Sequence, residues 1–568
     1  MNGADLICTA LKKYGVEHIF LYPGAKNIGI INSIKKLGLQ GHLCRHEQGC
    51  IFAAEGYAKS SNKVGVVLTT SGPGAANTIT GIADAFSDSV PIIILTAQVS
   101  VQASGTEAFQ EMPTDEIVKP ITKSCFKIRR ASDICHVIDQ AFYQVQHERC
   151  RPVLIDIPSN IQTELGEFHG DIIHYPKSET LDTSVIQTFI EMLVSSRAPL
   201  LYVGGGCKYG YDLLEQTLKI TGPIPSVSSV MGLGSVPGTD PLFLGFIGMH
   251  GLYTANYAVT ECDLLISLGG RFCERATCDI TKFAPRARII HIDVDISEIG
   301  KRVTTHLGIC ADVRDVLKML NSKLPLSLEM SVFQKQIEPW CTELVRLKHT
   351  YSQERYITCD SEPCKINGQR IVYELNKYCK THNISPIITT GVGKHQVFTA
   401  QIFQHENPWK WITSGALACM GFGIPAAIGA SLACPGETVI CIEGDGSILM
   451  SIQELATLYN EHLPVKIILF NNQILGMVQQ IEEEVYHTPD TFTFLGSVHD
   501  SNEIYPDFNK IADGFKIRNK CVDNITDLIK AFDEVFENAH PFLLNVIIKD
   551  SNVRPEIADG ECFENILL

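Results

Sequence analysis

Short apolar runs rich in Val, Ile and Leu recur along the chain, and half of them end on glycine or proline. "VGVVLTTSG", "PIIILTA" and "RPVLIDIP" stand in the first third. "PLLYVGGG", "DLLISLGG" and "ARIIHIDVD" stand in the middle, and "SPIITTG", "ETVICIEGDGS", "PVKIILFNN" and "PFLLNVIIKD" in the last third. A run without polar alternation is buried on both faces, as in a parallel sheet covered by helices on each side. The runs are separated by helix-length segments, so the expected fold class is α/β, with three doubly wound parallel-sheet domains in series. The boundaries expected are 1–165, 190–325 and 368–550, with polar stretches at 163–190 and 325–368 as links. The 568 residues agree with three or four domains of roughly 150 residues each.

In such sheets ligands sit beyond the carboxyl ends of the strands, so the strand exits are where chemistry is to be sought. The exit after "ICIE" reads Gly444-Asp445-Gly446-Ser447, and the next apolar run ends in Asn471-Asn472. Glycines let a backbone approach a phosphate, and a helix N-terminus offers N–H donors and a positive dipole end. Asp445 and Asn472, at the ends of what would be neighbouring parallel strands, offer hard oxygen ligands to a magnesium ion that also holds phosphate oxygens. Another exit, "HIFLYPGAKN", places Lys26 two residues past a Pro-Gly turn. That lysine is either a solvated loop residue or a cation aimed into a cleft.

The formal charge of −16 argues against a broad nucleic-acid or anionic-membrane surface. No run approaches the ~18 apolar residues of a membrane span, and the N-terminus begins as an amphipathic helix rather than a signal peptide. The twenty cysteines are scattered through apolar segments without CxxC spacing, as expected of reduced thiols in a cytoplasmic protein.

The GDG…NN pattern resembles the diphosphate motif of thiamine diphosphate enzymes, and the chain as a whole resembles the acetolactate synthase catalytic subunit. "CRHEQGCIFAAEGYAK", "TTSGPGAANTITGIADAFSDSVP", "GGRFCERAT", "SGALACMGFGIPAAIGA" and "LFNNQILGMV" carry the likeness. It implies pyrimidine-binding, central flavin-binding and diphosphate-binding domains, holding thiamine diphosphate, Mg2+ and FAD. It makes Glu47 the carboxyl that activates the cofactor's aminopyrimidine, a role that favours a pKa raised by burial. Met420 is the wedge that bends the cofactor, and Gly393 and His395 join Gly444, Gly446 and Ser447 around the diphosphate. Asp445, Asn472 and the backbone carbonyl of Ile474 are the metal ligands. Phe109 and Gln110 line the reaction centre. Arg271, Arg275, Gly204, Gly205, Gly206, His250 and Asp293 are the flavin contacts, although Cys273 and Glu274 stand where the family has an Asp pair.

The reaction implied is decarboxylation of pyruvate followed by carbon–carbon bond formation with a ketone acceptor. The assembly implied is a homodimer or homotetramer, with or without a regulatory subunit. The departures from the family fall on the acceptor side. Ala25 and Lys26 replace Gly-Ala, Ser159 replaces a Lys, and Ile481 replaces a Trp associated with the second ketoacid. Loss of a large aromatic and gain of a cation suggest a larger, negatively charged acceptor, such as a nucleotide-linked keto-deoxysugar. The alternatives are an authentic acetolactate synthase joining two 2-ketoacids, or a pyruvate oxidase or decarboxylase.

Overall fold

Three six-stranded sheets, each with every strand pairing parallel, follow one another along the chain in the computed structural model. It describes residues 1–170, 181–327, 330–352, 366–488, 492–500 and 503–548. Parts of both expected links, and the end of the third expected domain, lie outside the described residues.

The first sheet contains β1 (His18–Leu21), β2 (Gln40–Leu43), β3 (Gly65–Thr69), β4 (Ile92–Gln98), β5 (Ser124–Lys127) and β6 (Val153–Pro158), in the order β2-β1-β3-β4-β6-β5. The second contains β7 (Pro199–Val203), β8 (Ser226–Ser228), β9 (Phe243–Phe246), β10 (Leu264–Leu268), β11 (Arg288–Asp293) and β12 (Leu307–Cys310), in the order β12-β11-β10-β7-β8-β9. The third contains β13 (Ile387–Thr390), β14 (Trp411–Ile412), β15 (Val439–Gly444), β16 (Lys466–Asn471), β17 (Arg518–Val522) and β18 (Phe542–Ile547), in the order β14-β13-β15-β16-β18-β17. The first and third sheets share one topology, strand for strand.

The runs read from the sequence are the inner strands, and β3, β4, β6 and β15 are buried at every position. Strand order reverses between β1 and β3, between β7 and β10, and between β13 and β15. At such a reversal the connections diverge and leave a crevice beyond the strand ends. Each crevice is bordered by glycines: Gly24 and Gly72 in the first, Gly204–Gly206 and Gly269–Gly270 in the second, Gly391–Gly393 and Gly444–Gly446 in the third.

The first and third units are locked by a close helix crossing. The Glu47–Ser61 helix lies against the Gly423–Ala433 helix, with Gly56 over the carbonyl of Ala426 and Gly429 over the carbonyl of Ala53. Among the described residues no helix is long and apolar enough to cross a membrane.

Candidate active site

At the third crevice, Gly444 ends β15 and Asp445 opens a short helical turn. β16 runs beside β15, so Asn472 follows directly at the neighbouring strand end. The Asp445 carboxylate accepts N–H bonds from Gly446 (2.8 Å) and Asn472 (3.1 Å), and also from Gln473. Burial pushes its pKa up to about 6. The Asn472 side-chain oxygen accepts the Ile474 N–H at 3.2 Å, which folds the turn that carries the Ile474 carbonyl. This donor set of one carboxylate, one amide oxygen and one carbonyl is oxygen-only, as Mg2+ requires.

The walls fit a diphosphate. A Cβ on Gly444 would stand 2.7 Å from His395 Nδ1, and one on Gly446 would stand 2.5 Å from Leu475 Cδ2, so only glycine leaves this cradle open. His395 is buried and held neutral, its pKa lowered to about 3 by desolvation, and its Nε2 has no partner among the described residues. Gly393 precedes it at φ 152°, and Ser447 Oγ accepts the Gly421 N–H at 3.0 Å.

The first crevice gathers a second set of groups. Asn27 closes the "YPGAKN" turn by accepting from Gly24 N (2.9 Å) and donating to the Tyr22 carbonyl (3.0 Å). This brings Gly24 so close to Thr70 that a Cβ would meet the threonine at 2.5 Å. Ala25 is exposed and Lys26 half-buried at this rim, and the Lys26 carbonyl accepts from Gln162 Nε2. The Lys26 ammonium has no ion pair among the described residues. Glu47, 8% exposed, opens its helix and accepts from Asn77 Nδ2 at 2.9 Å. Gln110 abuts Gly72 and is held at φ 63°, a strained value for a residue with a side chain. Phe109 beside it is 81% exposed. Ser159 leaves β6 with its N–H on the Gln98 carbonyl.

A cavity of about 2800 Å³ opens at the second crevice. Gly205, Gly206, His250, Arg271, Arg275 and Asp293 line it. Desolvation lowers the pKa of His250 to about 4, so the ring is neutral, and its buried Nδ1 has no partner among the described residues. Gly204 lies beneath the cavity wall instead, since a Cβ there would meet the Gly269 carbonyl at 2.1 Å. A wide cleft with cations, glycines and an unsatisfied ring nitrogen fits a flavin dinucleotide. Sequence reading missed Arg149, which lines the same cavity and bonds Asp295 (3.1 Å) and Glu298 (2.9 Å). It precedes β6, and reading of the strand exits does not reach the entry side.

Gly393, Met420 and Ile481 line this same cavity, so the flavin cleft and the thiamine end of the third crevice are continuous. Glu47, Phe109, Gln110, Ala25, Lys26 and Ser159 do not line it. The acceptor wall expected from the sequence as one surface is thus divided within the chain: Ile481 on the cavity, and Ala25, Lys26 and Ser159 at the first crevice. The reason is topological, because those three leave strands of the first sheet and Ile481 ends the helix that follows β16 of the third.

Residues 1–117, 186–320 and 391–546 match, in turn, the N-terminal TPP binding domain, the central domain and the C-terminal TPP binding domain of thiamine pyrophosphate enzymes. The chain is 41% identical over 577 aligned residues to "Acetolactate synthase 1, chloroplastic" of Zea mays, covering 100% of this chain and 89% of that protein. It is 40% identical to "Acetolactate synthase, chloroplastic" of Arabidopsis thaliana, covering 100% of this chain and 84% of that one. Against "Acetolactate synthase 2, chloroplastic" of Nicotiana tabacum the identity is 39%, with 100% and 85% covered.

Proposed function

Because this chain belongs to the acetolactate synthase family of thiamine diphosphate-dependent enzymes, we propose that it decarboxylates pyruvate and joins the remaining two carbons to a second 2-ketoacid. The chain is a carboligase that uses thiamine diphosphate, Mg2+ and FAD. The observation that carries the acceptor assignment is the end-to-end likeness to acetolactate synthases at about two-fifths identity.

Bound thiamine diphosphate supplies a carbon nucleophile and an electron sink. Asp445, Asn472 and the Ile474 carbonyl would hold the metal against the diphosphate, with the glycine cradle and His395 around it. Glu47 would hydrogen-bond the aminopyrimidine, with Asn77 orienting its second oxygen. Met420 would support the ring from the cavity side. Gln110 would offer a neutral amide to the reacting carbonyl, with Phe109 covering it. Arg271, Arg275, His250, Asp293 and Arg149 would hold the flavin. Glu47 and Met420 serve one reaction but face different crevices of the chain, so we read the working unit as at least a homodimer, two crevices closing together.

The second reading is a larger, anionic acceptor such as a nucleotide-linked keto-deoxysugar. Two observations favour it: the Lys26 ammonium at the rim, which has no ion pair among the described residues, and a branched aliphatic at position 481 on the cavity wall. Incubation with pyruvate, thiamine diphosphate, Mg2+ and FAD separates the two. Rapid formation of acetolactate supports the 2-ketoacid acceptor. Slow acetolactate formation, with fast transfer once the sugar is added, overturns it. Flavin reduced by pyruvate during turnover and reoxidised with consumption of oxygen would indicate an oxidase, and free acetaldehyde as the main product a decarboxylase.

A further inference from the structure

Three ionisable side chains of the first unit are buried where the three units meet. Lys59 lies on the Glu47–Ser61 helix, and Asp84 and Asp88 on the Ile79–Asp88 helix. Lys59 is 7% exposed, and the Asp84 residue and the Asp88 side chain are fully buried. Lys59 pairs with Glu55 on its own helix (3.4 Å) and with Asp88 across to the other, and the remaining partners named here are on neither helix. Asp88 accepts the N–H groups of Gly415 (2.9 Å) and Ala416 (2.8 Å), one on each carboxylate oxygen. Lys59 bonds Asp88 at 2.9 Å and donates to the Thr413 carbonyl at 2.8 Å. Asp84 accepts from Ser414 Oγ at 2.7 Å, and that oxygen accepts the Cys419 N–H at 2.8 Å. Apart from the Lys59–Asp88 pair, every one of these bonds ends on residues 413–419. Gly421, two residues on, is held by Ser447.

Met420 is the residue suspended between these two anchors. The segment that carries it is not a helix or a strand, and it passes through left-handed conformations at Ala418 (φ 59°) and Gly421 (φ 82°). Such a loop has no ladder of its own to set its height, so its geometry comes from what holds it. The bonds that hold it are charge-assisted and buried, hence short and stiff. The second unit joins the same junction, for a Cβ on Gly415 would meet Met231 Sδ at 2.4 Å.

We propose that Lys59, Asp84 and Asp88 form a positioning clamp that sets the height of Met420 against the thiamine ring, acting through residues 413–419. The proposal rests on the reading of Met420 as the cofactor's support. Lys59 and Asp88 border the same cavity as Met420, and in this proposal the clamp acts on the chemistry only through the alignment of Met420. A misplacement of a fraction of an ångström is enough to slow a near-attack geometry severely.

The test uses full-length protein loaded with thiamine diphosphate and Mg2+, and reads hydrogen–deuterium exchange at the thiazolium C2 by acid quench and NMR. Asp88→Asn keeps the shape and removes the charge. At saturating cofactor it should slow C2 exchange by about tenfold or more, the range expected for loss of a buried charge-assisted bond pair, while KM for pyruvate stays unchanged. In a Met420→Ala background the same substitution should have little further effect, because both act on one contact. Ser414→Ala, a milder break, should slow exchange less and should fold if Asp88→Asn does not. Unchanged exchange in Asp88→Asn or in a folded Ser414→Ala, or effects of Asp88→Asn and Met420→Ala that multiply, would overturn the clamp. Failure of the unmodified protein to bind thiamine diphosphate would instead overturn the reading of the site.

Discussion

Replacing Gly429 by alanine tests the crossing that joins the first and third units. The added Cβ would lie 1.8 Å from the Ala53 carbonyl oxygen, 2.6 Å from Tyr57 N and 2.8 Å from the Ala53 carbonyl carbon. A carbon–oxygen contact relaxes at about 3.3 Å, so the helices must part by roughly 1.5 Å. The obstacle is helix backbone, which cannot rotate away as a side chain could. Over-packing of a tight interior costs about 1–3 kcal/mol, and an immovable obstacle puts this case at or above the upper end. With a urea slope of about 2–3 kcal/mol per molar, the first unfolding midpoint should fall by about 1 M. The measurement is urea denaturation followed by circular dichroism, with Gly514→Ala as the control, since a Cβ there meets nothing within 4 Å. A Gly429→Ala midpoint equal to that control would refute the argument that backbone contact at this crossing is obligatory.

Other consequences can be measured directly. Glu47→Gln should keep cofactor binding and lower turnover by about 10²–10⁴, the usual loss for a general acid–base group; retention of full turnover would remove Glu47 from the chemistry. Asp445→Asn should raise the Mg2+ concentration needed for half-maximal cofactor binding, read by isothermal titration. Mixing the Glu47→Gln and Asp445→Asn chains and refolding them together should restore part of the activity if two crevices from different copies close one site, and no recovery would argue against that assembly. Glu443 is buried in front of the cradle and its pKa is pushed up to about 7 by desolvation. A raised carboxyl binds its proton more tightly when folded, so its contribution favours the folded state at low pH and is lost as pH rises from about 4.5 through 7. Glu443→Gln should remove up to about 3 kcal/mol of that fall in the apoprotein, and identical pH profiles of Tm would contradict it.

The inner strands were legible because burial on both faces leaves no polar residue in them. The strands that the pattern missed, β2, β5, β8, β9, β12, β14 and β17, are short or lie at or near sheet edges, and β2, with three of its four residues exposed, has no unbroken apolar run. GDG and its Asn partner were legible because neighbouring parallel strands place their exits side by side, and β15 does pair with β16. Arg149 was not, since it serves from the entry end of its strand. The clamp was invisible for another reason. Glu55 with Lys59, and Asp84 with Asp88, have the four-residue spacing of solvated helix faces. Only the third unit, folding over more than 300 residues later in the chain, buries them.

That distance in sequence shapes how damage would present itself. A lesion near Lys59 or Asp88 need not unfold the protein; it would leave the thiamine ring bound but misaligned. Mass action refills an empty site with supply, but it does not restore the alignment of a cofactor already bound. Variants of these helices would then behave as vitamin-unresponsive defects, as slow when thiamine is plentiful as when it is scarce.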